Sequence, residues 1–294
     1  MTSNRIGDLL VHVWPAEAAD APVVVAAHGI TANGLSWGRV ARQLAGRVTL
    51  VAPDLRGRAG SSGAPGPYGI TRHADDLVAV LDGLSLDAVG AGRAVLVGHS
   101  MGAFVAAVAA TRHPGRVSGV VLVDGGLTFP VPAGTDIDAV LAAVLGPAVA
   151  RLDMTFPDRD AYRRFWQEHP AFAGDWTPEV EAYIQHDLVQ VDPAGDGPYR
   201  SSCVVDAIRT DGAQVLVDSE TLAAIHELPV PGVLLYAERG MLDDPNPLYT
   251  AQRVAGLEVP AVAVPDTNHY SILIGEKGAA VVAEQILRAA GMAG

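Results

Sequence analysis

A single cysteine, Cys203, rules out any disulfide within the chain and gives no support to an oxidising, secreted setting. Met1-Thr2-Ser3-Asn4-Arg5 has no apolar stretch, so no signal peptide is expected. The apolar runs are too short for a membrane span, and a cytoplasmic location is expected. Positive charge is also scarce. The net charge is −13, which argues against nucleic acid or anionic membrane as a partner. Lys277 is the lone lysine among many arginines, a skew that fits GC-rich coding DNA and carries no functional information. Gly90-Ala91-Gly92 precedes an apolar run instead of following one, so it is no dinucleotide fingerprint. A Walker lysine is missing, and no Cys/His spacing resembles a zinc site. Asp136-Ile137-Asp138 lacks further ligands and is expected to start a helix. The chain has no internal repeat and no low-complexity tail, and no metal or other cofactor is expected.

Core-forming material is ample, with 49% apolar residues across 294 positions. Short apolar runs alternate with helical patterns. Leu9–Val13 predicts an early antiparallel edge strand. Val23–Ala27, Val48–Ala52, Ala94–Val97, Val117–Val123, Val233–Tyr236 and Ala261–Val264 predict further strands, most of them buried on both faces. Ser36 is expected to cap a helix running to about Leu44, and Thr71 one running to about Leu84. A last helix is expected from about Gly275 to Ala290. Such alternation predicts a mostly parallel sheet flanked by helices.

Residues 128–229 break that rhythm. Helices are expected at Ile137–Leu145, Arg159–Glu168 and Pro178–Leu188. Aromatics make up only 5% of the chain, yet this stretch holds Phe156, Tyr162, Phe165, Trp166, Phe172, Trp176, Tyr183 and Tyr199. They form either a small helical core or the lining of an apolar pocket.

Gly98-His99-Ser100-Met101-Gly102 stands between a predicted strand and a predicted helix. This is the G-x-S-x-G nucleophile elbow in the context it requires. The sharp turn lifts a serine hydroxyl clear of the sheet, and the following helix aims its free N–H groups at the reacting oxygen.

With His28-Gly29-Ile30, Asp54-Leu55-Arg56-Gly57, Val120–Asp124 and Asn268-His269 in place beside the elbow, the chain resembles the α/β-hydrolase fold superfamily over nearly its whole length. The resemblance implies an α/β fold with a helical cap inserted after the sixth strand. It divides the chain into core (1–127), cap (128–229) and core (230–294). It implies Ser100 as nucleophile and His269 as base, with the amides of Ile30 and Met101 forming the oxyanion hole. His28 is expected to stabilise the loop carrying Ile30. His99 is placed at the substrate pocket, together with Phe165, Trp166 and Trp176 of the cap.

The third triad member is open at this point. The usual slot after the seventh strand holds Gly240. Glu238 lies two positions early, and Asp243 and Asp244 lie late. Asp124, at the end of the sixth strand, is the leading candidate, because some relatives carry the acid there.

The expected activity is cofactor-independent hydrolysis of a carboxylic ester, lactone or related acyl bond of a small to medium, partly apolar substrate. Two alternatives remain: C–C bond hydrolysis of meta-cleavage-type diketo acids, and a non-catalytic small-ligand receptor of the same fold. A small-molecule substrate is the expected partner, and a homo-oligomer is left open.

Overall fold

The computed structural model describes residues 1–84, 92–128, 131, 134–174, 176–192 and 197–292; Gly90 and Ala91 lie outside the described residues. Ten strands are assigned among the described residues: β1 (Thr2–Ile6), β2 (Leu9–Trp14), β3 (Val23–Ala27), β4 (Thr49–Pro53), β5 (Ala94–His99), β6 (Val117–Val123), β7 (Leu188–Gln190), β8 (Tyr199–Ser201), β9 (Gly232–Ala237) and β10 (Ala261–Val264). Eight of them make one sheet in the order β1-β2-β4-β3-β5-β6-β9-β10. The β1/β2 and β2/β4 pairs are antiparallel, and all other pairs in the sheet are parallel.

The helices are α1 (Gly38–Leu44), α2 (Ile70–Gly83), α3 (Met101–Arg112), α4 (Ile137–Leu145), α5 (Pro147–Ala150), α6 (Arg159–Gln167), α7 (Pro178–His186), α8 (Val205–Val217), α9 (Ser219–Ala223), α10 (Ala251–Val254), α11 (Ser271–Ile274) and α12 (Glu276–Ala289). Strand β3 is apolar and buried at every position because both of its faces are covered. In β3, Val23, Val25 and Ala27 pack on one side with α2 and α3, while Val24 and Ala26 pack on the other with α1 and α12. Helix α3 is buried from Met101 to Ala110. Its many alanines let it lie close against the sheet.

Several boundaries differ from expectation. Strand β2 is antiparallel as expected, but β1 lies outside it and forms the edge. Thr2-Ser3-Asn4-Arg5 is exposed and polar, so no apolar alternation marks it. Asn33, not Ser36, caps the turn before α1, through its side chain to the Leu35 N–H. Helix α2 begins at Ile70 after Gly69, one residue ahead of Thr71. Asp136 does start a helix, its Oδ1 accepting from the N–H groups of Asp138 and Ala139. Between β6 and β9 the chain forms α4–α9, and also the two-stranded β7/β8 sheet. Those strands have three residues each, too short to leave a pattern.

This inserted segment is stitched to the core loops. The Val204 N–H donates to Gly57 O at 2.9 Å, and the Ala59 N–H donates to Ser202 Oγ at 2.9 Å. Asn33 Nδ2 donates to Tyr183 O at 3.0 Å. On the core side, His28, Ser100, Asp124 and His269 all follow the carboxyl ends of parallel strands, where open α/β sheets gather their ligands. Among the described residues, no helix is long and apolar enough to cross a membrane.

Candidate active site

Ser100 sits between β5 and α3 at φ 55°, ψ −121°, a region a non-glycine residue enters only when its surroundings enforce it. The flanking glycines are dictated by contact. A Cβ on Gly98 would lie 1.9 Å from Gly102 O, and one on Gly102 would lie 2.1 Å from Ala27 O. The Ser100 N–H is anchored on Val123 O at 2.9 Å. Its side chain lies beside the Gly29-Ile30 turn, since a Cβ on Gly29 would be 3.8 Å from Ser100 Oγ.

His269 lies between β10 and α11 on a loop with several anchors. Asn268 Oδ1 accepts from the N–H groups of Tyr270 and Ser271 at 2.9 and 2.8 Å, and Asn268 Nδ2 donates to Ala171 O at 3.2 Å. His99 Nε2 donates to His269 O at 2.8 Å. Burial, and then the nearby His269, push the His99 pKa well below the usual range, so its ring is neutral and acts as a donor to that carbonyl.

Asp124 directly follows β6, at φ 44°. Its Oδ2 is 2.7 Å from His269 Nδ1, and its Oδ1 accepts from the Ala237 N–H at 3.0 Å. Both side chains are buried. The other three carboxylates have different partners. Glu238 is exposed and accepts from the Asp266 N–H at 3.2 Å. Asp243 bonds Asn268 Nδ2 at 2.9 Å and Arg239 at 3.0 Å. Asp244 accepts from Asn246, at 2.9 Å from the N–H and 3.0 Å from Nδ2.

His28 is fully buried after β3. Its Nδ1 donates to Gly29 O at 2.8 Å, and its Nε2 accepts from the Leu55 N–H at 2.8 Å. Burial pushes its pKa down to about 3, so the ring is neutral, in the one tautomer that serves both bonds. Ile30 follows directly, and Met101 is the first residue of α3.

Two pockets flank Ser100, of about 90 and about 30 Å3, and Ile30, Ser100, Met241 and His269 line both. The larger is apolar, walled by Phe104, Leu127, Leu141, Val215, Leu216 and Tyr249. The smaller touches His99, Tyr183 and Tyr270. His99 therefore borders the smaller pocket. Phe165, Trp166 and Trp176 line neither one. Trp166 is 2% exposed and packs against Tyr162, Phe165 and Phe172. Trp176 Nε1 donates to Glu181 at 2.9 Å. These rings form the core of the inserted segment, because α6 turns its aromatic side onto neighbouring rings and not toward Ser100. The pocket wall comes instead from α4 and α8. Ile208, Val215 and Leu216 recur at helical spacing, the one signal in the sequence that points to α8.

One cluster escaped the sequence pattern altogether. His12, Asp54 and His186 bring their ligand-type atoms within 4.8 Å of one another. All of these atoms are engaged in hydrogen bonds. Asp54 Oδ1 takes the Gly34 N–H and His12 Nε2, while Oδ2 takes the Gly60 N–H and His186 Nε2. Those contacts hold the Asp54 carboxyl below the usual range despite its burial. The cluster ties β2, the loop after β4 and the end of α7 together.

A family model described as the alpha/beta hydrolase family matches residues 24–284. A 2-(acetamidomethylene)succinate hydrolase of Mesorhizobium japonicum is 33% identical over 255 residues, which cover 86% of this chain and 84% of the relative. The crystal structure of E-2-(acetamidomethylene)succinate hydrolase aligns with a TM-score of 0.73, covering 98% of each chain at 22% identity. Lipase LipV of Mycobacterium tuberculosis is 35% identical over 133 residues, 44% of this chain and 48% of the relative. The chain thus spans about half the length, or less, of several curated relatives it matches.

Proposed function

The chain belongs to the alpha/beta hydrolase family, and from that premise we propose that it is a serine hydrolase cleaving a carboxylic ester, lactone or related acyl bond through an acyl-enzyme. The observation that carries this reading is the Asp124–His269 hydrogen bond at 2.7 Å, in a pocket that His269 shares with Ser100. A serine needs a base to attack at neutral pH. A carboxylate on Nδ1–H leaves Nε2 free to take the serine proton and stabilises the imidazolium that results. The amides of Ile30 and Met101 receive the oxyanion, and His269 then activates the water that clears the acyl group. The apolar pocket favours an apolar acyl chain. Lone buried Cys203 fits a reducing, cytoplasmic setting.

A second reading, cleavage of an amide in a dicarboxylate, draws on the likeness to 2-(acetamidomethylene)succinate hydrolase. The lining weighs against it, because no lysine or arginine borders either pocket among the described residues.

The test is a panel of p-nitrophenyl esters, lactones, thioesters and 2-(acetamidomethylene)succinate, run beside fluorophosphonate labelling. Ester turnover and labelling should both be lost in Ser100→Ala, with activity falling about four to six orders of magnitude. Retention of more than about a tenth of the activity would exclude Ser100 as the nucleophile. Turnover of the dicarboxylate alone would favour the second reading.

A further inference from the structure

Gly29, Ile30 and Thr31 are three successive residues whose carbonyl oxygens are each held by a buried basic side chain. His28 Nδ1 donates to Gly29 O at 2.8 Å, Arg58 Nε to Ile30 O at 2.9 Å, and Arg151 Nη2 to Thr31 O at 2.8 Å. Arg58 is 0% exposed and Arg151 is 1% exposed. Arg58 lies in the core loop after β4, whereas Arg151 itself belongs to the segment inserted between β6 and β9, and each faces an aspartate of that segment. Arg58 Nη1 stands 2.5 Å from Asp211 on α8, and Arg151 Nη2 stands 3.1 Å from Asp187 after α7. Both aspartates belong to the segment inserted between β6 and β9. Arg58 Nη2 also lies 3.8 Å from Met101 Sδ. One guanidinium therefore touches both residues assigned to the oxyanion hole.

We propose that Arg58 and Arg151 are positioning residues for the Ile30 amide, and that their aspartate partners make its aim depend on how the inserted segment is seated. The inference rests on the serine-hydrolase reading above. The Ile30 N–H shares a rigid peptide plane with Gly29 O, so holding that oxygen orients the donor. Holding Ile30 O and Thr31 O fixes the next two planes and stops the first from rotating. Oxyanion donors are effective because they are aimed before the charge develops, and a small rotation forfeits much of that. The paired aspartates keep two buried guanidiniums from being left unmatched. If the segment shifts, both arginines move with it, and so does the donor.

The experiment compares a hexanoyl ester with the matching thionoester in the Arg58→Met/Asp211→Asn double variant, which removes both charges and leaves no unpaired buried aspartate. Sulfur fits an oxyanion hole poorly, so the oxo-to-thiono ratio of kcat/KM reports on the hole itself. The double variant should lose about 10- to 100-fold in kcat, with KM within about threefold, and the ratio should fall by a similar factor. Arg151→Lys, which keeps the charge but shortens the reach to Thr31 O, should move the ratio the same way by less. It also serves should the double variant fail to fold. An unchanged ratio in the folded variants, whatever happens to kcat, overturns the positioning role. Lack of fluorophosphonate labelling in the wild type would sink the serine-hydrolase reading itself, and the positioning role with it.

Discussion

Asp124 Oδ2 stands 2.7 Å from His269 Nδ1 while Asp124 Oδ1 accepts from the Ala237 N–H, so one carboxylate orients the ring and ties β6 to the end of β9. A carboxylate only accepts, which assigns the proton to Nδ1 and the lone pair to Nε2. The carboxylate that meets His269 thereby directly follows the sixth strand of the chain, and the turn at Gly240 after β9 closes through its own N–H to Asp244 O at 2.8 Å.

If this carboxylate orients the base, Asp124→Asn should lower kcat by about three to four orders of magnitude, because an amide stabilises the wrong tautomer. Glu238→Gln, Asp243→Asn and Asp244→Asn should each cost less than about tenfold. All four should be assayed at one pH, so that the variants are compared under the same conditions. A nearly active Asp124→Asn beside one dead variant among the other three would move the acid to the loop after β9.

The pocket wall gives a separate expectation. Leu141 and Leu216 face the space beside Ser100 from α4 and α8. Leu216→Ala should shift the preferred acyl chain toward longer esters, by about 10-fold in relative kcat/KM, the usual worth of a methylene-sized contact. Trp166→Ala should leave the chain-length profile alone and lower stability by about 3–5 kcal/mol, as loss of a buried aromatic does. A changed profile in Trp166→Ala with an unchanged one in Leu216→Ala would reverse the assignment of these walls.

The sheet was legible in the sequence because strands buried on both faces leave continuous runs such as Val23–Ala27. The elbow was legible because the close approaches at Gly98 and Gly102 admit only glycine. The acid was not settled, because a carboxylate's partner depends on three-dimensional contact, and four candidates sat within reach of the pattern. The pocket wall was missed for a related reason. A helix carrying many aromatics looks like a lining, yet the same rings pack equally well on each other. Strand β1 and the His12–Asp54–His186 cluster left no trace, since exposed polar strands and contacts distant along the chain have no periodicity.

Gly102 allows a direct stability test of the elbow. A Cβ there would meet Ala27 O at 2.1 Å, Ala27 C at 2.5 Å and His28 O at 2.8 Å, all of them backbone atoms that cannot swing aside. Gly102→Ala should cost about 3 kcal/mol or more in urea unfolding, at the upper end for overpacking. It should also reduce turnover, because the strand that must yield leads into His28 and the Ile30 loop. A variant as stable and active as wild type would mean that the helix-to-strand contact is looser than these distances require.

His28 should make stability fall as the solution turns acid. In the unfolded chain its imidazole binds a proton below about 6.5, whereas in the folded chain burial delays this to about 3. Between those values the unfolded state holds one more proton, so each unit of falling pH favours unfolding by about 1.4 kcal/mol on account of this residue. Above about 6.5 its contribution is constant. His28→Gln can still accept from the Leu55 N–H but cannot titrate, so it should be the less stable protein at pH 7.5 and lose less on acidification. Urea unfolding of both proteins at pH 7.5, 6.5, 5.5 and 4.5 gives the two slopes. They should differ by close to one proton between pH 5.5 and 4.5. Parallel slopes would show that the ring already carries its proton in the folded state, and that its tautomer does not hold the Gly29 carbonyl in the manner argued here.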